Sequence, residues 1–129
     1  MSMMLEDKDA IRELLSSYCF CIDRGDPDAL LRQLAEDCVW DGGPVGRYEG
    51  AALRQFLTAA ASGSERQRRH FLANEIITVR GDTATACSYL LVVNVADAGP
   101  SLGFAGFYED RLVRRGGRWL FRERLIKFT

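Results

Sequence analysis

The chain contains one histidine, His70, and this residue type is the usual side chain for moving a proton near neutral pH. His70 opens a segment whose β-type alternation predicts a strand with His70, Leu72, Asn74 and Ile76 on one face. That face mixes apolar and hydrogen-bonding residues, as a pocket wall does. A structural role for a single strand histidine is the other interpretation.

Asp23 is the acid best placed to work with such a histidine. It follows the apolar stripe of the first predicted helix, near a C-terminus where the helix dipole disfavours a carboxylate. It is either a solvated terminal acid or a carboxylate turned into a cavity, where it could accept a hydrogen bond from a histidine Nδ1–H. Asp26 competes for this role, although capping of the second helix explains it better.

A pocket would need further residues around this pair. Tyr18 lies on the apolar stripe of the first helix, so it either packs in the core or offers a proton-donating hydroxyl. Arg124 could be a surface or a buried arginine. The predicted substrate-binding residues are aromatic or share the strand face of His70: Trp40, Phe56, Leu72, Asn74, Phe104 and Tyr108.

The elements that must position these residues follow in a simple order. Apolar residues from Ile11 to Ile22 recur at helical spacing, and Gly25 suits the position after a helix end. Asp26-Pro27 predicts the start of a second helix, and a third is predicted from Gly50 to about Ala61. Cys38-Val39-Trp40 predicts a short strand, and four long strands follow at 69–79, 83–95, 102–115 and 118–128.

Helices followed by a run of strands predict one α+β domain over residues 1–129. A curved sheet of this kind could wrap around the N-terminal helices and leave a cavity at one end.

Composition excludes several function classes. Seventeen Lys and Arg against eighteen Asp and Glu give a net charge of -1, which predicts neither nucleic acid nor a membrane as partner. Arginine clusters at Arg66, Arg68 and Arg69 and from Arg111 to Arg124 are interpreted as solvated. The acidic N-terminus lacks the pattern of a signal peptide, so a cytoplasmic location is expected.

Cofactor chemistry is not expected either. The cysteines form no metal-binding pair and are expected to be small buried residues, and one histidine adds little, so no metal is predicted. There is no P-loop, G-x-G-x-x-G or G-x-S-x-G motif, which argues against nucleotide binding and serine hydrolase chemistry.

Three segments carry a resemblance to a known family. DKDAIRELLSSYCFCIDRGDPDALLRQLAEDCVW resembles the opening of SnoaL-like proteins in the nuclear transport factor 2-like superfamily. RRHFLANEIITV resembles their first long strand, and GFYEDRLVRRGGRWLFRERLI resembles their final hairpin. The resemblance implies a cone-shaped fold, in which a curved antiparallel sheet wraps around three N-terminal helices.

Within that superfamily, the pattern is most similar to the branch with scytalone dehydratase, the bile-acid dehydratase and hexachlorocyclohexane dehydrochlorinase. The resemblance implies a catalytic dyad of Asp23 and His70, with Tyr18 assisting, in a cofactor-independent lyase or isomerase for a small, largely apolar cyclic substrate. In scytalone dehydratase the acid would instead fall on Asp26, and its second catalytic histidine has no counterpart in GFAGFYED.

A rival resemblance is to the structural β subunit of ring-hydroxylating dioxygenases. It implies a non-catalytic module for small-molecule binding or assembly. Either resemblance implies a homodimer.

Overall fold

The computed structural model describes residues 3–62 and 68–129, and Arg66 lies outside them. The helices are α1 (Met3–Arg24), α2 (Pro27–Arg32) and α3 (Gly50–Ala61), with a short 3-10 turn at Gly43–Val45. The strands are β1 (Leu34–Asp41), β2 (Arg47–Glu49), β3 (Arg68–Arg80), β4 (Thr83–Ala96), β5 (Gly99–Arg115) and β6 (Arg118–Phe128). The predicted α+β class is confirmed.

The strands form one sheet in the order β2-β1-β6-β5-β4-β3, which leaves β2 and β3 as edges. Every pair is antiparallel except β1 and β6, which run parallel. This parallel pair was not predicted, and it joins the earliest strand to the last. The predicted sheet around three helices is confirmed, as a curved and unclosed sheet.

The core lies between α1 and the inner face of the sheet. Ile11, Leu15 and Tyr18 are buried along α1, as the helical spacing predicted. From Thr83 to Val92 burial in β4 alternates strictly, so that Leu90 and Val92 face inward while Tyr89 and Leu91 face outward. This alternation gives the sheet one face toward the helices and one toward solvent.

The cysteines follow the core only in part. Cys19, Cys21 and Cys38 are buried, as expected, but Cys87 is exposed because it has the outward parity of β4. Within the described residues, no helix combines the length and the apolar character needed to cross a membrane.

Strict alternation fails in β3 at a β-bulge. Ala73 pairs with Tyr89 and Ile76 with Cys87, so Asn74 and Glu75 together oppose a single residue of β4. Asn74 has a φ of 61° and is exposed, and Ile76 is 67% exposed. The prediction that both share the inward face of His70 is therefore wrong, because one extra residue shifts the side-chain period to the opposite face.

Candidate active site

Asp23 and His70 meet between the end of α1 and the start of β3. Asp23 Oδ1 lies 2.6 Å from His70 Nδ1, and Asp23 Oδ2 accepts the backbone N–H of His70 at 2.8 Å. The two side chains are only 8% and 7% exposed. One carboxylate thus holds both the strand and the ring of the same residue. It favours the tautomer with the proton on Nδ1, which leaves Nε2 able to accept another proton.

The local sequence explains why Asp23 can reach β3. Gly25 adopts a φ of +74°, and a Cβ there would lie 2.9 Å from the carbonyl oxygen of Ala61 in α3. A glycine is therefore needed where α1 ends against α3. Asp26 caps α2 instead, since its Oδ1 accepts the N–H of Ala29 at 3.2 Å. Of the two candidate acids, only Asp23 contacts His70.

His70 lines a cavity of about 530 Å³, within the size range of small-molecule sites. Val45 and Phe128 also line it and are 48% and 42% exposed, so this part of the wall opens to solvent. Most of the remaining lining is aliphatic or aromatic. The predicted residues that the structure places around this cavity are Tyr18, Trp40, Phe56, His70, Phe104 and Tyr108.

Two of the predicted substrate-binding residues do not line the cavity. Leu72 is half-buried and packs against the hydrophobic core. Asn74 is turned to solvent by the bulge, so its prediction as a substrate-binding residue is wrong. The alternation of inward and outward side chains that starts at His70 holds as far as Leu72 and is interrupted by the bulge at Asn74.

An aromatic group fixes one side of the cavity. The rings of Tyr48 and Phe56 stack with centroids 4.1 Å apart, and Phe56 lies 4.7 Å from Trp40. These contacts join α3 to β1 and β2. The Nε1 atom of Trp40 is buried without a hydrogen-bond partner in the described residues, although it lies near the Tyr18 hydroxyl.

Behind Tyr18 and Tyr108 lies a buried ion pair. Arg124 Nε donates to Asp110 Oδ1 at 2.8 Å, and the two side chains are 1% and 0% exposed. The guanidinium also lies 4.3 Å from the ring centroid of Tyr18 and 3.4 Å from that of Tyr108. Arg124 is therefore buried. The signal for this in the sequence was Asp110, which has the same strand parity as the inward-facing Tyr108 and Leu112.

Burial also sets the protonation of the phenol at the cavity wall. It raises the pKa of Tyr18 to about 12, although the positive charge of Arg124 acts in the opposite direction. The pKa of Tyr108 is raised well above its ordinary value for the same reason. Both residues are therefore neutral phenols at physiological pH, so Tyr18 can donate a hydrogen bond but cannot act as a base.

A second hollow, of about 620 Å³, lies between α2, β1 and β6. Its lining mixes four arginines with Asp28 and Glu36, and it contains no histidine, tyrosine or cysteine. The cavity at His70 is the one that combines an apolar wall with an oriented base.

Fold and site together define a small nuclear transport factor 2-like protein with one histidine-bearing cavity. The SnoaL-like domain family matches residues 3–125, and the chain belongs to this family. No curated protein matches the sequence.

Solved structures share the fold. A Nostoc punctiforme protein of unknown function with a cystatin-like fold is 30% identical, with a TM-score of 0.87 over 100% of this chain and 96% of that one. A nuclear transport factor 2-like protein from Novosphingobium aromaticivorans is 26% identical, with a TM-score of 0.88 over 98% and 84%. A candidate scytalone dehydratase from the same organism is 23% identical, with a TM-score of 0.82 over 97% and 85%, and shows the fold alone.

Proposed function

We propose that the protein is a cofactor-independent lyase or isomerase that removes a proton from a small, largely apolar cyclic substrate. The observation that carries the proposal is the hydrogen-bonded pair of Asp23 and His70 at the wall of an apolar cavity. Base, orienting acid and cavity are the three parts that general-base catalysis on a bound organic substrate requires.

In the proposed reaction, His70 Nε2 takes a proton from a carbon next to an electron-withdrawing group such as a carbonyl. The Asp23 carboxylate stabilises the resulting imidazolium, and the electron pair moves onto the carbonyl oxygen. Tyr18 O–H can donate a hydrogen bond to that oxygen in a cavity poor in water.

Two outcomes follow from this intermediate. The electron pair returns from the oxygen to form a carbon–carbon double bond, and the leaving group on the next carbon departs with the electrons of its own bond. When it leaves as water it takes a proton from the imidazolium, and the result is elimination. Alternatively the imidazolium returns its proton to a different carbon, which gives isomerisation. The fold likeness to a candidate scytalone dehydratase is compatible with the first outcome.

Proton abstraction can be tested without knowing the leaving group. A panel of small cyclic ketones is incubated with the protein in D2O, and deuterium at the carbon next to the carbonyl is followed by NMR. We expect exchange above the buffer rate, reduced about 10²–10⁴-fold in His70→Gln and strongly reduced in Asp23→Asn. Asp26→Asn is the matched control and should exchange normally, because Asn also caps helices. Equal exchange in wild type and His70→Gln would contradict the proposal.

The second candidate function is a non-catalytic module that assembles through the outer face of the sheet. Phe71, Tyr89 and Leu91 are 54%, 63% and 41% exposed there, and Phe71 pairs in register with Leu91. The fold of a dioxygenase β subunit is similar at 19% identity. An exposed apolar area of this kind is typical of contact surfaces.

We propose a homodimer through this face, and Tyr89→Lys should shift the protein to monomer in sedimentation equilibrium. Thr85→Lys, on the same outward parity of β4, is the control. Ligand binding without any proton exchange would favour the non-catalytic candidate.

A further inference from the structure

Arg68 lines the same cavity as His70, which corrects its interpretation as a solvated residue. The other lining residues include no Asp and no Glu. Among the residues that line this cavity, Arg68 is thus the one with a permanent charge. An otherwise apolar cavity with one permanent positive charge favours an anionic group on its ligand.

The position of Arg68 relative to His70 follows from strand geometry. They stand two residues apart on β3, before the bulge, so both side chains point to the inner face. Their Cα atoms are therefore about 6.6 Å apart at the usual rise per residue. Arg69 between them is exposed on the opposite face.

Arg68 also differs from the other inward arginine in its partners. Arg124 is paired with Asp110, whereas no salt bridge involves Arg68 within residues 3–62 and 68–129. Its residue is half-buried, so part of its hydration is already lost. A charge in this setting gains more from a counter-ion than a fully solvated one does.

We propose that the ligand of this cavity is a cyclic carboxylic acid whose carboxylate pairs with Arg68 while its ring lies on the aromatic wall beside His70. The inference rests on the proposed function, because it places the reacting carbon at His70 Nε2. The planar guanidinium matches a carboxylate with two parallel hydrogen bonds. Because the two side chains leave the strand on the same face two residues apart, one small molecule can contact both.

Equilibrium binding tests this assignment with two probes of equal shape, 3-phenylpropanoate and its neutral amide, 3-phenylpropanamide. Calorimetry gives Kd for both probes with wild type, Arg68→Gln and Arg69→Gln. We expect wild type to prefer the carboxylate about tenfold, which corresponds to 1.4 kcal/mol. Arg68→Gln should bind both probes equally, with its affinity for the amide unchanged. Arg69→Gln loses the same charge on the opposite face and should keep the preference.

Two results would overturn the inference. One is a carboxylate preference that survives in Arg68→Gln, and the other is a wild-type protein that shows no carboxylate preference. Arg68→Lys keeps the charge without the planar fork and should retain only part of the preference. Thermal melting confirms that each variant is folded.

This test separates the inference from the proposed function. His70→Gln should keep the carboxylate preference, because the binding measurement needs no turnover. Normal deuterium exchange with no preference would remove the carboxylate assignment alone. A preference without exchange would leave a carboxylate-binding cavity and remove the enzyme.

Discussion

Two buried carboxylates, Asp23 and Asp110, hold the side chains of His70 and Arg124 at similar distances of 2.6 and 2.8 Å but in different surroundings. The first pair joins a helix to an edge strand and borders the cavity, and its imidazole is the proposed base. The second joins two neighbouring strands and is enclosed by aromatic rings, and its cation is permanently charged. Access to the cavity, rather than the hydrogen bond itself, makes Asp23–His70 the candidate catalytic pair and leaves Asp110–Arg124 a structural one.

The largest effect on the free energy of unfolding should come from the structural pair. Asp110→Ala leaves the Arg124 guanidinium buried and unpaired, which costs about 3–5 kcal/mol. Urea unfolding measures the loss. Glu49→Ala, which breaks the exposed pair with Arg47, is the control and should cost less than about 1 kcal/mol.

A double variant checks the cause. Replacing the pair with Asp110→Leu and Arg124→Met removes both charges and should recover much of the loss. A cost below about 1 kcal/mol for Asp110→Ala would contradict the structural role.

Tyr18 lies between the two pairs, and alkaline pH should show its burial. The pKa of Tyr18 is about 12 in the folded protein and 10.0 ordinarily. The neutral phenol therefore contributes to the free energy of unfolding below pH 10, and this contribution is lost as pH rises through 12. The full loss of unfolding free energy is on the order of 3 kcal/mol. Melting temperatures are measured from about pH 8.5 to about pH 11.5, which covers the tyrosine titration range. Over this range the melting temperature should fall less in Tyr18→Phe than in wild type.

Some decline should remain in Tyr18→Phe, because burial also raises the pKa of Tyr108 and raises that of Cys19 to about 11. Tyr89→Phe, at an exposed position, is the control and should follow wild type. Identical curves for Tyr18→Phe and wild type would refute the assignment.

The Asp23–His70 pair should matter less for the free energy of unfolding than for the orientation of the His70 ring. Asp23→Asn keeps an oxygen for one of the two hydrogen bonds, so we expect a loss of about 1 kcal/mol in urea unfolding. Nitrogen-15 NMR should show neutral His70 with its proton fixed on Nδ1 in wild type and a mixture of tautomers in Asp23→Ala, which keeps no side-chain oxygen. A fixed Nδ1 proton that survives in Asp23→Ala would show that another group orients the ring.

The smallest effect on the free energy of unfolding should come from the β-bulge of β3 at Asn74. Asn74→Ala places a less suitable residue at a φ of 61° and should cost about 0.5–1 kcal/mol. Asn74→Gly should be close to neutral, because glycine accepts this conformation, although it gains freedom in the unfolded chain. Equal losses for the two variants in thermal unfolding would mean that the Asn74 side chain, not its backbone conformation, matters.

Much of the fold was readable from periodicity. The stripe from Ile11 to Ile22 and the long strands each repeat one period over many residues, so α1 and β3 to β6 were predicted with small errors at their ends. The strand predicted at Cys38–Trp40 was right in place but shorter than β1. Its parallel partner β6 lies about 80 residues away in sequence, and no local pattern encodes such a pairing.

The site was predictable where residue types are rare. A single histidine and a poorly explained acid at a helix end made His70 and Asp23 candidates, the family resemblance implied their pairing, and the structure brings them together. Asn74 failed because a bulge is a local departure from alternation that composition does not announce. Arg68 was missed because a cluster of arginines is usually solvated. The one sequence signal for its inward position was that it stands two residues before His70 on the same strand.

The parallel pairing of β1 with β6 has a kinetic consequence. Phe121 and Arg124 of β6 occupy the centre of the sheet, so the inner face is incomplete until this strand has inserted beside β1. Closing so long a loop costs chain entropy before the contacts repay it, and folding rates fall as contacts become less local. We therefore expect the pairing of β6 with β1 to form late in folding.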